Sequence, residues 1–545
     1  MASPSRHSTQ NEEKFGQGYD FEVSNNEPTT AGDVIRLSSP DHESQSLHRG
    51  LKARHVSMIA IGGAIGTGLV IGTGQTLANG GPGSLFIAYS IVGMLVYVVM
   101  AALGEMATWL PVAGGFTPYA TRFVDPALGF ATGYTHWLKY LITCANQLTA
   151  GALVIQYWLP REKVNPGVWI AIFLVAIIAI NILGVKFFGD SNSGFRASRY
   201  WRNPGAFREY RAQGDLGCFI AVWSSLVNAV FAYLGTELVG VTVGEAQNPR
   251  RNIPKAIKLT FWRIMFFYIV SVLLLGMNVP YNSAKLVFAT KQSSSAAASP
   301  FVVAIGLAGI SFLPGFINAC ILIFVFSAAN SDLYTSSRTI HGLATKKQAP
   351  AFLGKTDSRG VPYYAIGLSA AISCVSFLNV STGSATVFTY FVNLASICGL
   401  MVWISILVSH LAFIRARNAQ GVDPKSLRYR SPFGFWGSSF ALGFCILIAF
   451  TKNFTVFIHS PKTYGDFDYK DFITGYLGIP IYLGLLFGWK VWAMTKRVKE
   501  SEADIWTGKD VIDADERMWL EKEAADRANG RRPHVLYRYT LGLLF

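Results

Sequence analysis

Hydrophobic residues fall along this chain in long blocks separated by short polar stretches, and the blocks have membrane-crossing length. Reading runs of roughly 20 apolar residues as spans gives candidates near residues 57–78, 84–105, 127–157, 167–189, 217–244, 259–279, 300–330, 363–379, 384–413, 436–457 and 473–494. The pattern predicts an all-α polytopic membrane protein with about 11 spans. Two blocks are not plain helices. The first holds Gly62-Gly63-Ala64-Ile65-Gly66-Thr67-Gly68, and the fifth carries Phe231-Ala232-Tyr233-Leu234-Gly235-Thr236-Glu237-Leu238-Val239-Gly240 at its middle.

A helix broken at mid-depth frees N–H and C=O groups that lipid cannot satisfy. Irregular backbone survives there only inside protein or along a polar cavity, and half-helix ends are the usual ion and substrate sites of secondary transporters. A plainer reading stays open: Gly62/Gly66 and Gly68/Gly72 are GxxxG pairs, which also serve as packing faces. A phosphate loop fits poorly, since no Lys-Ser/Thr follows and the glycine spacing misses the dinucleotide fingerprint. The second interruption favours transport. Glu237 is an ionisable group inside an apolar block, which marks a functional or partnered residue; its plainer reading is an inward-facing structural acid held neutral.

Composition narrows the class. The chain is 51% hydrophobic and 14% charged, with a mean hydropathy of +0.33, too apolar and too blocky for a soluble enzyme. Residues 1–50 are polar and lack the apolar core of a signal peptide, so they read as a cytosolic N-terminal tail. Residues 51–495 form the transmembrane domain, and 496–545 a cytosolic C-terminal tail. The net charge of +15 lies in short connections between spans, which points to the membrane through the positive-inside rule and not to nucleic acid. All six cysteines lie in or beside apolar blocks without metal-ligand spacing, so neither a disulfide framework nor zinc is expected, and no cofactor. Asn379-Val380-Ser381 and Asn453-Phe454-Thr455 match the glycosylation sequon by pattern only.

The same charges expose a conflict in the span count. With Lys52 and Arg54 placing the amino terminus in the cytosol, strict alternation works through the fourth span. Beyond it, the basic loops around 250–258, 338–359 and 415–430 fall outside, against the orientation signal. Residues 190–216 hold five arginines and no apolar run, and cannot cross a bilayer. One span restored there returns every basic loop to the cytosol and puts both termini on one side.

Several motifs carry a resemblance. They are Gly62-Gly63-Ala64-Ile65-Gly66-Thr67-Gly68-Leu69, Gly104-Glu105-Met106-Ala107-Thr108-Trp109-Leu110-Pro111 with Gly114-Gly115-Phe116, Gly244-Glu245-Ala246-Gln247-Asn248-Pro249-Arg250 with Ile253-Pro254-Lys255-Ala256-Ile257, and Ser327-Ala328-Ala329-Asn330-Ser331-Asp332-Leu333-Tyr334. In this order over roughly residues 45–500 they resemble the fungal amino-acid permeases, the yeast amino acid transporter family of the APC superfamily. Gln147-Leu148-Thr149-Ala150 to Ile155-Gln156-Tyr157-Trp158, Val164-Asn165-Pro166-Gly167-Val168-Trp169 and Lys452-Asn453-Phe454-Thr455-Val456-Phe457 are similar to dicarboxylic amino-acid permeases within that group. The resemblance implies a twelve-span, APC/LeuT-like fold with a 5+5 inverted repeat and discontinuous helices 1 and 6. It also implies proton symport of L-amino acids into the cell across the plasma membrane. Against that pattern, Phe187-Phe188-Gly189 runs almost directly to Arg199-Tyr200-Trp201. The family's fifth span and its coupling lysine are missing. Either coding sequence has been lost or this is an isoform with an incomplete scaffold.

The broken helices suggest a site for an amino acid. Ile65, Gly66, Thr67 and Gly68 should bind the α-carboxylate through free N–H groups and a positive helix end, with carbonyls near Ala64, Phe231, Ala232 and Leu234 taking the ammonium. Phe231 and Tyr233 cover the substrate or serve as core aromatics, and Glu237 is a proton- or gate-linked acid. Lys139 lies about 12 residues, hence about 18 Å, into its span. A lysine at that depth faces an anion or water, or snorkels to an interface. Gln147, about 80° further round the helix, stands where many general permeases carry Glu. A charge gained and another removed favour glutamate or aspartate. His136 either titrates with Lys139 or is a structural hydrogen-bonding group. Glu105, Glu245 and Asp332 are expected at cytosolic helix ends, as gate or capping contacts. Lys14 and other tail lysines are candidate ubiquitin-ligase targets. A non-transporting amino-acid sensor remains the alternative, whereas an enzyme lacks any H-E-x-x-H, G-x-S-x-G or P-loop motif.

Overall fold

In the computed structural model the described residues are 67–528, except 113–114, 157, 160–162, 184–200, 202–204, 242–248, 284–285, 287–298, 308–312, 358–359, 381–383 and 459–466. Every regular element among them is helical. Among the described residues eight helices are long and apolar enough to cross a membrane, or nine with the bent pair Tyr469–Tyr476 and Gly478–Trp492. The expected blocks at 57–78 and 84–105 meet in one run, α1 (Thr67–Val70) and α2 (Gly72–Trp109), interrupted at Gly81, where φ is +80° and Pro82 follows.

Beyond α3 (Phe116–Phe123), α4 (Pro126–Ile155) is the central helix, with Asp125 capping its start through a 2.8 Å bond from Ala127 N–H. Its hydropathy of 1.2 is the lowest of the eight, yet its most apolar stretch is 94% buried. Polar side chains on such a helix face other protein, not lipid. The chain continues through α5 (Pro166–Leu183), the broken pair α6 (Gly214–Tyr233) and α7 (Leu238–Val241), α8 (Pro249–Arg263), a π-helical stretch Ile264–Val270 and α9 (Ser271–Asn278).

The expected block 300–330 is corrected. Its first part is a separate short helix, α10 (Pro300–Leu307), and the spanning helix is α11 (Leu313–Thr345). The apolar run misled because α11 buries polar residues, among them Asn318, Ser327, Asp332 and Ser336, on its inner face. Three helices and a bent pair complete the bundle: α12 (Tyr363–Ser373), α13 (Ser384–Ala419), α14 (Gly434–Thr451) and the pair α15 (Tyr469–Tyr476) and α16 (Gly478–Trp492). α4 packs against α3, α11, α13 and α16.

The segment after α16 maps one end of the bundle. Val498 N–H donates to Val124 O at 2.8 Å, Trp109 Nε1–H to Ile505 O at 2.9 Å, and Gln420 Nε2–H to Ala503 O at 2.8 Å. α17 (Lys509–Ala528) then places Glu516 2.7 Å from Arg250 and 3.2 Å from Arg428. The end of α2 thus shares a face with the basic stretches at 250 and 428, which a strict count of 11 spans puts on opposite sides.

At the other end, by the Gly81 bend, Gly83 N–H donates to Ala206 O at 2.6 Å and Trp201 packs on Phe86. α5 starts at that end, because α4 finishes there, and its 18 residues carry it about 27 Å back. Leu183 and Trp201 therefore lie toward opposite ends, joined by 184–200. That link contains Lys186, Asp190, Arg196 and Arg199. As a helix it would rise about 26 Å, short of a bilayer core of about 30 Å. The packing of the described helices and the charge count locate the same gap.

Candidate functional site

The two interrupted spans cross at the middle of the bundle. α6 ends because Leu234 turns extended (φ −60°, ψ 143°) and Gly235 takes φ +97°, a conformation that disfavours any side chain. Leu234 N–H reaches back to Phe231 O at 3.2 Å and Thr236 N–H to Tyr233 O at 3.4 Å, so the regular i→i−4 ladder stops here. α1 begins opposite. A Cβ on Gly68 would lie 2.5 Å from Ala232 Cα, so only glycine lets the two backbones meet. Ala64, Ile65 and Gly66 lie outside the described residues.

A cavity opens beside this crossing, lined by Thr67, Gly68, Lys139, Tyr140, Thr143, Gln147, Phe231, Ala232, Leu234, Gly235 and Asp332. Lys139 and Glu237 are both wholly buried and form a direct ion pair. Glu237 Oε2 also accepts Gly235 N–H at 3.1 Å, so the break itself holds the carboxylate. Lys139 Nζ stands 4.1 Å from the Tyr140 ring centroid. The lysine does not snorkel. Thr67 Oγ1, Gln147 Oε1 and Asp332 Oδ2 are buried without hydrogen-bond partners, which marks polar positions that a polar ligand can satisfy.

Two expectations are corrected. Asp332 is not at a cytosolic helix end; it lies 13 residues, about 20 Å, before the end of α11. There it lines the cavity, receives a hydrogen bond from Gln147 and faces Lys139 electrostatically. Tyr233 does not line the cavity. Its hydroxyl donates to Tyr89 O at 2.9 Å and its ring stacks on Tyr268, while Tyr89 Oη donates to Gly68 O at 3.3 Å. These tyrosines brace the crossing from behind. His136 meets Thr339 at 3.2 Å and packs edge-on to Phe116 and Tyr140, a structural placement.

Glu105 binds Arg417 at 2.7 Å and Ser431 N–H at 2.7 Å near the tail end of the bundle, with His410 beside it at 3.4 Å. Glu245 is outside the described residues. Tyr140, Thr143, Gly235 and Asp332 are cavity residues that the sequence reading did not assign to substrate. For Thr143 a signal existed: Lys139, Thr143 and Gln147 repeat every four residues, a polar stripe on one face of an apolar helix. Among the described residues no group of three or more His, Cys, Asp or Glu could hold a metal ion.

The comparisons with known proteins agree with this architecture. The profile of the Amino acid permease family matches residues 55–196 and 189–502, two segments that meet at 189–196. The Dicarboxylic amino acid permease of Saccharomyces cerevisiae is 48% identical, covering 95% of this chain and 90% of that protein. Its alignment runs over 552 positions, more than the 545 residues here, so that relative has residues with no counterpart in this chain. An uncharacterised amino-acid permease of Schizosaccharomyces pombe is 41% identical over 85% of this chain and 92% of its own length. The Proline-specific permease of S. cerevisiae is 39% identical over 86% and 79%. A manganese transporter of Eremococcus coleocola superposes with a TM-score of 0.48 at 10% identity, over 81% of this chain and 94% of that one, a remote likeness. The chain, with its interrupted apolar helices crossing at a buried polar cavity, belongs to the amino acid permease family.

Proposed function

We propose that the protein is a secondary transporter that imports acidic L-amino acids, glutamate or aspartate, together with protons across the plasma membrane, with both tails in the cytosol. The observation that carries the substrate class is Lys139, a wholly buried cation that lines the cavity and pairs there with a carboxylate. An anionic side chain is the ligand that such a lysine selects. The α-carboxylate sits at the start of α1, on the N–H groups of Thr67 and Gly68 with Ile65 and Gly66 before them. The ammonium takes carbonyls of Ala64, Phe231, Ala232 and Leu234, and Phe231 covers the substrate. The distal carboxylate displaces Glu237 from Lys139, which makes Glu237 a gate: freeing it releases its hold on Gly235 and on the break. Gln147 tunes the same pocket without adding negative charge. Lys14 and other tail lysines serve as ubiquitin-ligase targets.

The test is uptake of labelled L-glutamate by a form carrying a relative's fifth span in place of 184–200, with and without a collapsed proton gradient. Uptake indifferent to the gradient removes the coupling, and uptake indifferent to acidic competitors removes the substrate class. A second reading, a sensor that binds without carrying, is favoured by the missing crossing between Leu183 and Trp201. Concentrative uptake separates the two.

A further inference from the structure

The cavity is lined by one cation, Lys139, and one carboxyl group, Asp332, with the carboxylate of Glu237 paired to that lysine behind the wall. Lys139 is paired to Glu237 and also faces Asp332, which is wholly enclosed, hydrogen-bonded by Gln147 and left with Oδ2 unpartnered at the cavity wall. This inference rests on the anionic-substrate reading and extends it to the proton. When a dicarboxylic amino acid enters, a third carboxylate shares one lysine. In a medium of low effective dielectric, carboxylates gathered around one lysine in one buried cavity do not all stay ionised. Glu237 has Gly235 N–H to hold its charge; Asp332 Oδ2 has no donor. We propose that Asp332 carries the coupled proton: it takes one from the outside water as the anionic substrate binds, and returns it to the inside water after release.

The charged and titratable groups facing Asp332 are few. α4 supplies Lys139, Tyr140 and Cys144, with the neutral Gln147. Lys139 in turn is paired to Glu237 of the break and faces Cys398 of α13. His136 points to Thr339 instead.

The experiment is equilibrium binding of radiolabelled L-glutamate to the purified full chain in lipid nanodiscs from about pH 5.5 to about pH 8.5, above the carboxyl pKa of free glutamate. The wild type should bind more tightly as pH falls, by up to about tenfold per unit. Asp332→Asn, a permanently uncharged mimic of the protonated acid, should bind at the acid-limit affinity throughout. Asp332→Glu should restore the slope, and Glu237→Gln should shift affinity while keeping it. A flat wild-type profile overturns the proton assignment alone, without reference to any variant. A slope that persists in Asp332→Asn assigns the proton elsewhere, and loss of binding at every pH makes Asp332 a substrate ligand; both overturn the inference. No binding of L-glutamate at any pH, by the wild type and by the form carrying a relative's fifth span alike, overturns the anionic-substrate reading and this inference with it.

Discussion

Lys139 and Glu237, 98 residues apart in sequence, form an ion pair in which neither side chain is exposed. Removing one partner from such a pair leaves an uncompensated buried charge, which costs about 3–5 kcal/mol. Lys139→Ala and Glu237→Ala should each lower thermal stability strongly, and Lys139→Met with Glu237→Gln should recover most of the loss. Transport by the form with a fifth span separates stability from recognition. Lys139→Ala should weaken acidic amino acids more than neutral ones, and equal losses for both would make Lys139 structural.

The crossing of the broken spans gives a test by size alone. Gly68→Ala drives its Cβ to 2.5 Å from Ala232 Cα, a backbone atom that cannot swing away, whereas a Cβ on Gly72 meets nothing within 4 Å. Overpacking of this kind costs typically about 1–3 kcal/mol, concentrated here on the cavity that Gly68 and Ala232 line. Gly68→Ala should abolish or sharply weaken L-glutamate binding, and Gly72→Ala should leave it near wild type. Equal behaviour of the two variants would mean that the spans do not touch at Gly68.

How far the sequence foretold this site depends on the residue. The break at Leu234 and Gly235 was legible because glycines and an acid fall together inside an apolar block, whereas most of the first glycine cluster lies outside the described residues; Lys139 was legible as a lysine about 18 Å into a span, with an anion, water or an interface as its possible partners. Its partner was not, since pairing across 98 residues is set by tertiary packing. Tyr233 left two roles open because a residue at a helix end tells neither which face it takes nor what packs there; its contacts with Tyr89 and Tyr268 make it a core aromatic. Asp332 was misplaced because apolar residues near 300–312 drew the span boundary forward, so a mid-helix acid resembled a terminal one. The all-helical, membrane-spanning class followed from block lengths, the repeat architecture only from the resemblance, and the gap at 190–216 from charge alone.

The carboxy-terminal helix is tied to the bundle by charge. Arg250 bonds Asp513 and Glu516, and Lys509 bonds Asp513. Burial works to raise the Asp513 carboxyl, but the bonds from Lys509 and Arg250 outweigh it and hold the group below the usual carboxylate range. A depressed carboxyl stabilises docking fully above its unfolded pKa of about 3.9 and loses that effect as pH falls through the lower folded value. Docking should therefore be constant from about pH 5 to about pH 8 and fail only in stronger acid. Partly exposed pairs contribute about 1 kcal/mol or less each. Arg250→Ala removes several together and should speed proteolysis between residues 494 and 508, as should high salt. Cutting at the wild-type rate would show that other contacts hold the helix.

The gap between Leu183 and Trp201 has the largest consequence. The described helices bring Trp109, Arg250, Gln420 and Arg428 to one face through bonds to residues 503–516, and that arrangement requires the chain to cross between α5 and α6. The 17 residues available carry four charges, each costing roughly 2.5–3.5 kcal/mol at mid-bilayer on insertion scales. Extended backbone there would also leave N–H and C=O groups facing lipid. The alternatives are to strand basic loops outside, against the orientation signal, or to leave an apolar span uninserted. We expect the 545-residue chain to be retained inside the cell and degraded, without measurable uptake, and the form with a fifth span to reach the plasma membrane. Tag accessibility and glutamate uptake, measured side by side on the two forms, decide it. If the chain as written reaches the surface and concentrates substrate, the crossing is made by some other segment and the fifth span is dispensable.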